Sequence, residues 1–243
     1  MSFQIHNLVA VLSQDGEKKT VLNNISLEIN SGLSFLVGKN GAGKSSLAQT
    51  IIGNPNYTVE SGSILFENED IVSASPEDRA KKGIFVSFQN PPELEGVSTI
   101  NLLHTIYIEK FGIEDELSRS TFKFRKAVIK LLDVVGLSTD FVDRAYNLGF
   151  SGGEKKRMEI LQMLLFKPKL IILDEIDSGL DIHAQKILFT AIDELKNAGS
   201  AILFITHNIS LVEKYSDVPV HIINQGEITQ SGGVEILQNF KDQ

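Results

Sequence analysis

The stretch that decides the fold is Gly38-Lys39-Asn40-Gly41-Ala42-Gly43-Lys44-Ser45, which fits the pattern G-x-x-x-x-G-K-[ST]. It follows an apolar run at 33–37 that is typical of a buried strand, and it leads into a predicted helix, Lys44–Ile52. A glycine-rich turn in this position lets successive backbone N–H groups surround a phosphate at the positive end of the helix. We therefore predict a phosphate-binding loop, with Lys44 on the β- and γ-phosphates of a nucleotide and Ser45 on Mg²⁺.

On both sides of this loop the chain alternates between strand-like and helix-like segments. Strands are predicted at 9–12, 21–29, 61–66, 84–88, 170–173, 201–206 and 220–223. Between 98 and 145 strands disappear, and apolar residues recur at helical spacing, as in Phe124, Val128, Leu131, Leu132 and Val135. The alternation predicts an α/β fold with a mostly parallel core sheet. We expect a single domain over 1–243, with a helical subdomain at about 98–165 inserted into the α/β core.

Composition excludes several kinds of chemistry. The 243 residues include no cysteine, so the chain has no disulfide, no thiolate metal site and no cysteine nucleophile. A formal net charge of −8 argues against a broad nucleic-acid-binding surface, and we expect no nucleic acid partner. The apolar runs are far shorter than the ~20 residues of a membrane helix, and residues 1–6 do not resemble a signal peptide. These features predict a cytoplasmic protein without direct membrane insertion.

A second candidate site lies at the end of the apolar strand at 170–173, where Asp174 and Glu175 follow directly. With a phosphate-binding loop upstream, Asp174 is predicted to hold Mg²⁺ and Glu175 to polarise the attacking water. The alternative interpretation is that two acids after a strand cap the next helix.

A third candidate site is the sequence at 150–157, where Ser151, Gly152 and Gly153 stand immediately before a predicted helix. A hydroxyl, free N–H groups and a helix N-terminus together form an anion site. The alternative is a plain N-cap with flexible glycines. The basic run at 155–157 either contacts nucleotide or nucleic acid or, as is more usual, forms a solvated helix face.

The order of these motifs resembles the ATP-binding cassette (ABC) ATPases: the loop at 38–45, Gln89 after a strand, the helix start at 151–153, the acids at 174–175, Asp181 in 178–181, and His207 after a strand. The resemblance implies that fold, with an antiparallel β region at the N-terminus. It implies ATP and Mg²⁺ as ligands, and it implies roles for individual residues. Lys44, Glu175 and His207 would be catalytic, and Ser45, Gln89 and Asp174 would hold Mg²⁺. ATP would contact Gly38, Lys39, Asn40, Gly41, Ala42, Gly43, Lys44, Ser45 and Ser46.

The same resemblance implies a shared site. Ser151, Gly152, Gly153 and Glu154 would cap the γ-phosphate bound to a second copy of the chain, and Asp181 would couple the two sites. The active form would then be an ATP-dependent, head-to-tail homodimer. On its own, a histidine such as His207 at the end of a strand is more often structural.

Within the ABC ATPases, the stretches at 75–85, 88–98 and 149–163 look like the ATPases of the Suf system of iron–sulfur cluster assembly. Phe150 and Glu154 stand where transporter ATPases usually carry leucine and glutamine. This resemblance implies a SufB/SufD-like scaffold partner, docked near 89–98 and the helical insertion. Lys39 and Ser46 depart from the commonest family residues, and 8–13 offers no aromatic side chain for adenine.

Two other functions remain open from the sequence. One is the nucleotide-binding subunit of a membrane transporter, and the other is a nucleotide sensor that has lost hydrolysis. The presence of Lys44, Asp174, Glu175 and His207 argues against the sensor. The aromatic residues Tyr107, Phe122 and Phe124 in the helical block either form a docking face or, as we favour, pack into its core.

Overall fold

The computed structural model describes residues 1–14 and 16–238. In this part of the chain the strands are β1 Ser2–Gln14, β2 Glu17–Asn30, β3 Gly32–Val37, β4 Tyr57–Phe66, β5 Glu69–Asp70, β6 Ile84–Val86, β7 Leu94–Ser98, β8 Ala145–Tyr146, β9 Leu170–Asp174, β10 Ala201–Thr206, β11 Val220–Asn224 and β12 Glu227–Gly232. The helices are α1 Lys44–Ile52, α2 Pro76–Lys82, α3 Thr99–Phe111, α4 Glu116–Arg119, α5 Thr121–Val134, α6 Gly152–Phe166, α7 Ile182–Asn197 and α8 Ile209–Val212. Contacts divide the described residues into two compact units.

The first unit comprises the described parts of 1–87, 169–175 and 196–243, and its centre is a six-stranded sheet in the order β12-β11-β3-β10-β9-β6. All neighbouring strands are parallel except the pair β11 and β12. Val37 pairs with Thr206, and Ile205 pairs with Asp174, so β3, β10 and β9 end at the same edge. The loops that follow parallel strands therefore meet at this edge, which is where such sheets bind ligands.

An antiparallel sheet in the order β2-β1-β4-β5 also belongs to the first unit. Its inward side chains, such as Phe3 and Leu22, join a buried core with Leu47 and Ile51 of α1. Buried Arg79 donates hydrogen bonds to the carbonyl oxygens of Thr50 and Ile51, in the last turn of α1. These contacts anchor α1, the helix that begins with Lys44.

The second unit comprises 88–168 and 176–195 and is mainly helical. Helix α5 buries Phe124, Val128 and Leu132 on one face, which is the predicted spacing. Of the three aromatic residues considered above, Phe124 and Tyr107 lie in the core, whereas Phe122 is two-thirds exposed. Core packing is therefore confirmed for two of them.

Most predicted elements are present, with differences at the ends of strands. Helix α1 and strand β10 have the predicted bounds. Strand β1 is much longer than the predicted 9–12, and β6 ends at Val86 rather than at 88. The sequence signals missed β5, β7, β8 and β12, which are short or depend on pairing with a distant strand. The α/β prediction, with its parallel core and its antiparallel N-terminal region, is confirmed.

Candidate functional site

The predicted phosphate-binding loop connects β3 to α1 and is closed by its own lysine. Lys44 is 5% exposed, and its Nζ donates hydrogen bonds to the carbonyl oxygens of Gly38 at 2.9 Å and Lys39 at 3.1 Å. Gly43 is the N-cap of α1, and no side chain caps the helix there. Helix α1 therefore begins at the loop without a side-chain cap, and a buried ammonium group lies beside its N-terminus, as an anion site requires.

Two glycines of this loop are required by the fold as well as by a ligand. A Cβ at Gly38 would lie 2.6 Å from the carbonyl oxygen of Ile223 and 2.8 Å from its Cγ2. Gly43 has φ 107°, a left-handed conformation that other residues rarely adopt. The sequence pattern explained these glycines only by the need to bind phosphate. The close packing of Gly38 against β11 is a second reason for a glycine at that position.

Asp174 is the last residue of β9 and is buried at the edge where β3, β9 and β10 end. Its backbone N–H donates to Ser87 Oγ at 2.8 Å. Burial raises the pKa of its carboxyl group, Glu175 adds to this, and the Ser45 hydroxyl and the Lys44 charge oppose it. Among the described residues Oδ1 has no hydrogen-bond partner. A buried carboxylate oxygen without a partner and a nearby hydroxyl are ligands that fit Mg²⁺.

Glu175 contacts both Lys44 of the phosphate-binding loop and His207, which follows β10. Its Oε1 lies 3.5 Å from Lys44 Nζ and 3.3 Å from His207 Nδ1. The residue has φ 52°, and its N–H donates to the carbonyl oxygen of Ile205 at 3.0 Å. Such a left-handed conformation costs on the order of 1–2 kcal/mol in a residue with a side chain. The strained backbone directs a partly exposed carboxylate, which can accept a proton, next to a lysine and a histidine.

The predicted signature residues lie in the second unit, at the start of α6. Ser151 Oγ accepts the Glu154 N–H at 3.3 Å, and Glu154 Oε2 accepts the Ser151 N–H at 2.7 Å. This capping box lowers the pKa of Glu154. An N-cap was the alternative interpretation, and its geometry is present. It is compatible with anion binding, because a hydroxyl that accepts one hydrogen bond still has its own proton to donate.

Gln89 and Asp181 also lie in the second unit. Gln89 is exposed and follows Phe88, whose N–H donates to Glu159 Oε1. Asp181 accepts the Ala184 N–H at 2.7 Å near the start of α7 and pairs with Arg157 at 3.2 Å. The structure thus brings 38–46, Asp174, Glu175 and His207 together in the first unit. The other predicted residues, Gln89, Ser151–Glu154 and Asp181, belong to the second.

Three residues near these positions were not predicted from the sequence: Ser87, which accepts the Asp174 N–H, Ile223, which packs on Gly38, and Glu159. Only Glu159 had a signal in the sequence, since it is an acid inside an otherwise apolar stretch, 158–161. The described residues contain no group of three His, Asp or Glu side chains that could hold a metal ion by themselves.

Comparison with known proteins assigns the family. The model of the ABC transporter family matches residues 22–178. This chain belongs to the ABC transporter family. Its relatives in the family include the probable ATP-dependent transporter slr0075 of Synechocystis sp., 41% identical over 98% of this chain and 92% of that protein. The probable ATP-dependent transporter SufC of Escherichia coli is 36% identical over 93% of this chain and 92% of that protein.

The fold is likewise that of ABC ATPase cassettes. The dimeric structure of MJ0796, a bacterial ABC transporter cassette, matches 96% of this chain and 98% of its own with a TM-score of 0.79. At 18% identity this likeness concerns the fold alone. The predicted resemblance to ABC ATPases, and within them to SufC, is therefore confirmed. Within residues 1–14 and 16–238, no helix has both the length and the apolar character needed to cross a membrane.

Proposed function

We propose that this chain is the ATP-hydrolysing subunit of a Suf-type iron–sulfur cluster assembly system and drives a conformational change in a SufB/SufD-like scaffold. The observation that carries hydrolysis is the position of Glu175 between Lys44 and His207, beside Asp174. The Suf assignment is supported by the likeness to SufC over nearly the whole chain. We also propose that both compact units belong to one ATPase domain, with a helical subdomain at about 98–165, in a cytoplasmic protein.

In this proposal the residues at 38–46 bind the phosphates of ATP through their N–H groups, and Lys44 exchanges its bonds to the loop carbonyls for bonds to the β- and γ-phosphates. Ser45, Asp174 and Gln89 would hold Mg²⁺, which when bound neutralises part of the phosphate charge. Glu175 accepts the proton of the attacking water, and His207 orients Glu175 and contacts the γ-phosphate. Catalysis then rests mainly on positioning and electrostatics.

The site is completed by a second copy of the chain. In the predicted signature Ser151–Glu154, at the start of α6, Gly152 and Gly153 donate N–H groups and Ser151 donates its hydroxyl to the γ-phosphate held by the partner. Glu154 holds Ser151 through the capping box, and Asp181 links the two sites. The proposal is supported by the existence of a dimer of the same fold, the MJ0796 cassette. One chain alone provides only half of each site, so hydrolysis requires an ATP-dependent, head-to-tail homodimer.

The second unit is the proposed docking surface for the scaffold. All the exposed large apolar side chains of the described residues belong to it: Phe88, Val97, Ile106, Phe111, Ile113, Phe122, Val134, Leu148 and Ile182. The first unit has no such side chain among its described residues, so the second unit is the one with apolar surface to offer a partner. The chain has no cysteine, so cluster chemistry belongs to the scaffold, and this subunit contributes nucleotide-driven movement.

The second candidate function is the nucleotide-binding subunit of a membrane transporter. It is favoured by the names of the relatives, which are probable ATP-dependent transporters. In that case the same apolar surface would dock on a membrane permease.

The deciding experiment mixes the purified full-length chain with a purified SufB/SufD-like scaffold and measures complex formation and ATP turnover. We expect a stable complex and faster hydrolysis. Phe122→Asp should weaken the complex, whereas Thr20→Asp, on an exposed position of β2 in the first unit, should not. Binding to a permease in nanodiscs, with no binding to the scaffold, would reject the Suf assignment.

A further inference from the structure

A buried carboxyl group joins the segment 88–93, which contains Gln89, to the helix that begins at Ser151. Glu159 lies in the middle of α6 and is 2% exposed. Its Oε1 accepts the backbone N–H of Phe88 at 2.7 Å. At 1.5 Å rise per residue, Glu159 stands about 12 Å along α6 from Ser151. One hydrogen bond thus connects the backbone next to Gln89 with the helix that carries the signature residues.

Two further contacts hold the segment 88–93. Asn147 Nδ2 donates to the carbonyl oxygen of Pro92 at 3.0 Å, from the residue after β8. Lys155 of α6 pairs with Glu93 at 2.6 Å, but both side chains are partly exposed, and exposed pairs stabilise little. The Glu159 hydrogen bond, by contrast, is a buried connection between α6 and this segment.

Packing alone does not explain a glutamate at this position. Burial raises the pKa of Glu159 to about 8, against the opposing effects of the Phe88 N–H and the Lys156 charge. Its Oε2 has no hydrogen-bond partner among the described residues. An unsatisfied buried polar group destabilises the folded state, whereas an apolar side chain of similar volume would stabilise it. Glu159 lowers the stability of the fold but binds the Phe88 N–H. This hydrogen bond is therefore the best explanation for a glutamate at this position.

The side chain of Phe88 is exposed, whereas its backbone is held inside the second unit. The side chain is 42% exposed, and the N–H of the same residue donates to buried Glu159. A partner that contacts the Phe88 ring therefore pushes on a backbone that is fixed to α6.

We propose that Glu159 is a positioning residue that couples the segment 88–93 to α6, so that a displacement of Phe88 by a docked partner moves Gln89 and Ser151 together. The inference rests on the proposed function, in which Gln89 and Ser151 contact the nucleotide. It adds to that function a route by which partner docking changes the geometry of the ATP site.

The test compares Glu159→Gln with Glu159→Ala in the full-length chain, with the scaffold present. Glutamine keeps an acceptor oxygen at the same position and has no charge, as the protonated carboxyl has none, whereas alanine leaves the Phe88 N–H unpaired. We expect Glu159→Ala to lower kcat about 10- to 100-fold, as small misplacements of positioning groups do, with the KM for ATP within twofold. Glu159→Gln should stay within threefold of the wild type. Amide exchange at Phe88 should be faster in Glu159→Ala alone.

Phe124→Leu is the matched control, because Phe124 is fully buried in the same unit and contacts His104 and Tyr107 rather than the segment 88–93. It should lower stability and leave kcat and Phe88 exchange near the wild-type values. Wild-type kcat in Glu159→Ala, or an equal loss in Glu159→Gln, would overturn the inference while the proposed function stands. A wild-type chain that hydrolyses no ATP would instead reject the proposed function, and this inference with it.

Discussion

Glu175 Oε1 lies 3.5 Å from Lys44 Nζ, although Glu175 directly follows β9 and Lys44 begins the first helix, 131 residues earlier in the chain. The same oxygen lies 3.3 Å from His207 Nδ1. Three residues that follow three different strands therefore meet around one carboxylate. The contact follows from the sheet order, since β3, β10 and β9 are neighbours and end at the same edge. Lys44, Glu175 and His207 can each be replaced separately to test the role of that side chain.

Replacement of Lys44 by alanine should weaken nucleotide binding without unfolding the first unit. The ammonium group donates charge-assisted hydrogen bonds, and the loss of one of them weakens affinity roughly 10- to 150-fold. Calorimetric titration with ATP measures the change. Lys81→Ala is the control, because Lys81 is exposed and pairs with Glu77 one turn away, on the surface of α2. Unchanged affinity in Lys44→Ala would remove Lys44 from the phosphate site.

Replacement of Glu175 by glutamine should trap an ATP-bound dimer. Glutamine keeps the shape of the side chain but cannot accept the proton of water, so the closed state would persist. We expect a dimer in light scattering with ATP and Mg²⁺, whereas Glu60→Gln, at an exposed position of β4, should behave as the wild type. A Glu175→Gln chain that remains monomeric at high ATP and protein concentration, with scaffold present, would contradict the shared site.

The isolated chain should hydrolyse ATP slowly, and its rate per chain should rise with protein concentration. One chain contributes the loop and Glu175 to one site and Ser151 to the other, so turnover follows the dimer fraction. Steady-state phosphate release over a hundredfold range of protein concentration measures this. A fast rate that is independent of concentration would mean that a single chain completes its own site.

Two glycine substitutions should separate folding from function. Gly38→Ala places a Cβ against Ile223 and should lower the free energy of unfolding by about 1–3 kcal/mol. A Cβ at Gly153, in the first turn of α6, would have no atom within 4 Å. Gly153→Ala should therefore raise the free energy of unfolding by about 0.5–1 kcal/mol, because alanine is the better helix former. ATP turnover should nevertheless fall. Thermal unfolding and phosphate release together distinguish them. Full activity in Gly153→Ala would remove the predicted phosphate contact at that residue.

The stability difference between Glu159→Gln and the wild type should grow with pH. The pKa of Glu159 is raised from 4.5 to about 8 in the folded chain, so between these values the folded state holds a proton that the unfolded state has lost. Wild-type stability therefore falls as pH rises, by up to about 1.4 kcal/mol per pH unit, and this contribution levels off above about pH 8. Glutamine has no such dependence. Denaturant unfolding from pH 5 to 9 measures the difference, with Lys156 and Tyr146, the other titratable groups beside Glu159, present in both chains.

The limits of prediction from sequence are clear in β1 and in α6. Alternation predicted only 9–12, because bulges between Ile5 and Leu8 and again near Ala10 shift the pattern, and Asn7 adopts φ 46°. The full strand is set by pairing with both β2 and β4. In α6 an acid in an apolar stretch was visible, but its bond to Phe88 depends on a segment 71 residues away.

The sequence by itself determined the motifs and their order: the glycine-rich loop, the acids after an apolar strand, and the serine and glycines before a helix. Local signals suffice there, because strand, turn and helix preferences act over a few neighbouring residues. Only the tertiary structure decided which groups touch. Lys44, Glu175 and His207 meet because parallel pairing aligns the ends of three strands. Gly38 is required by Ile223, and Glu159 binds Phe88, because close packing between distant segments leaves no trace in local spacing.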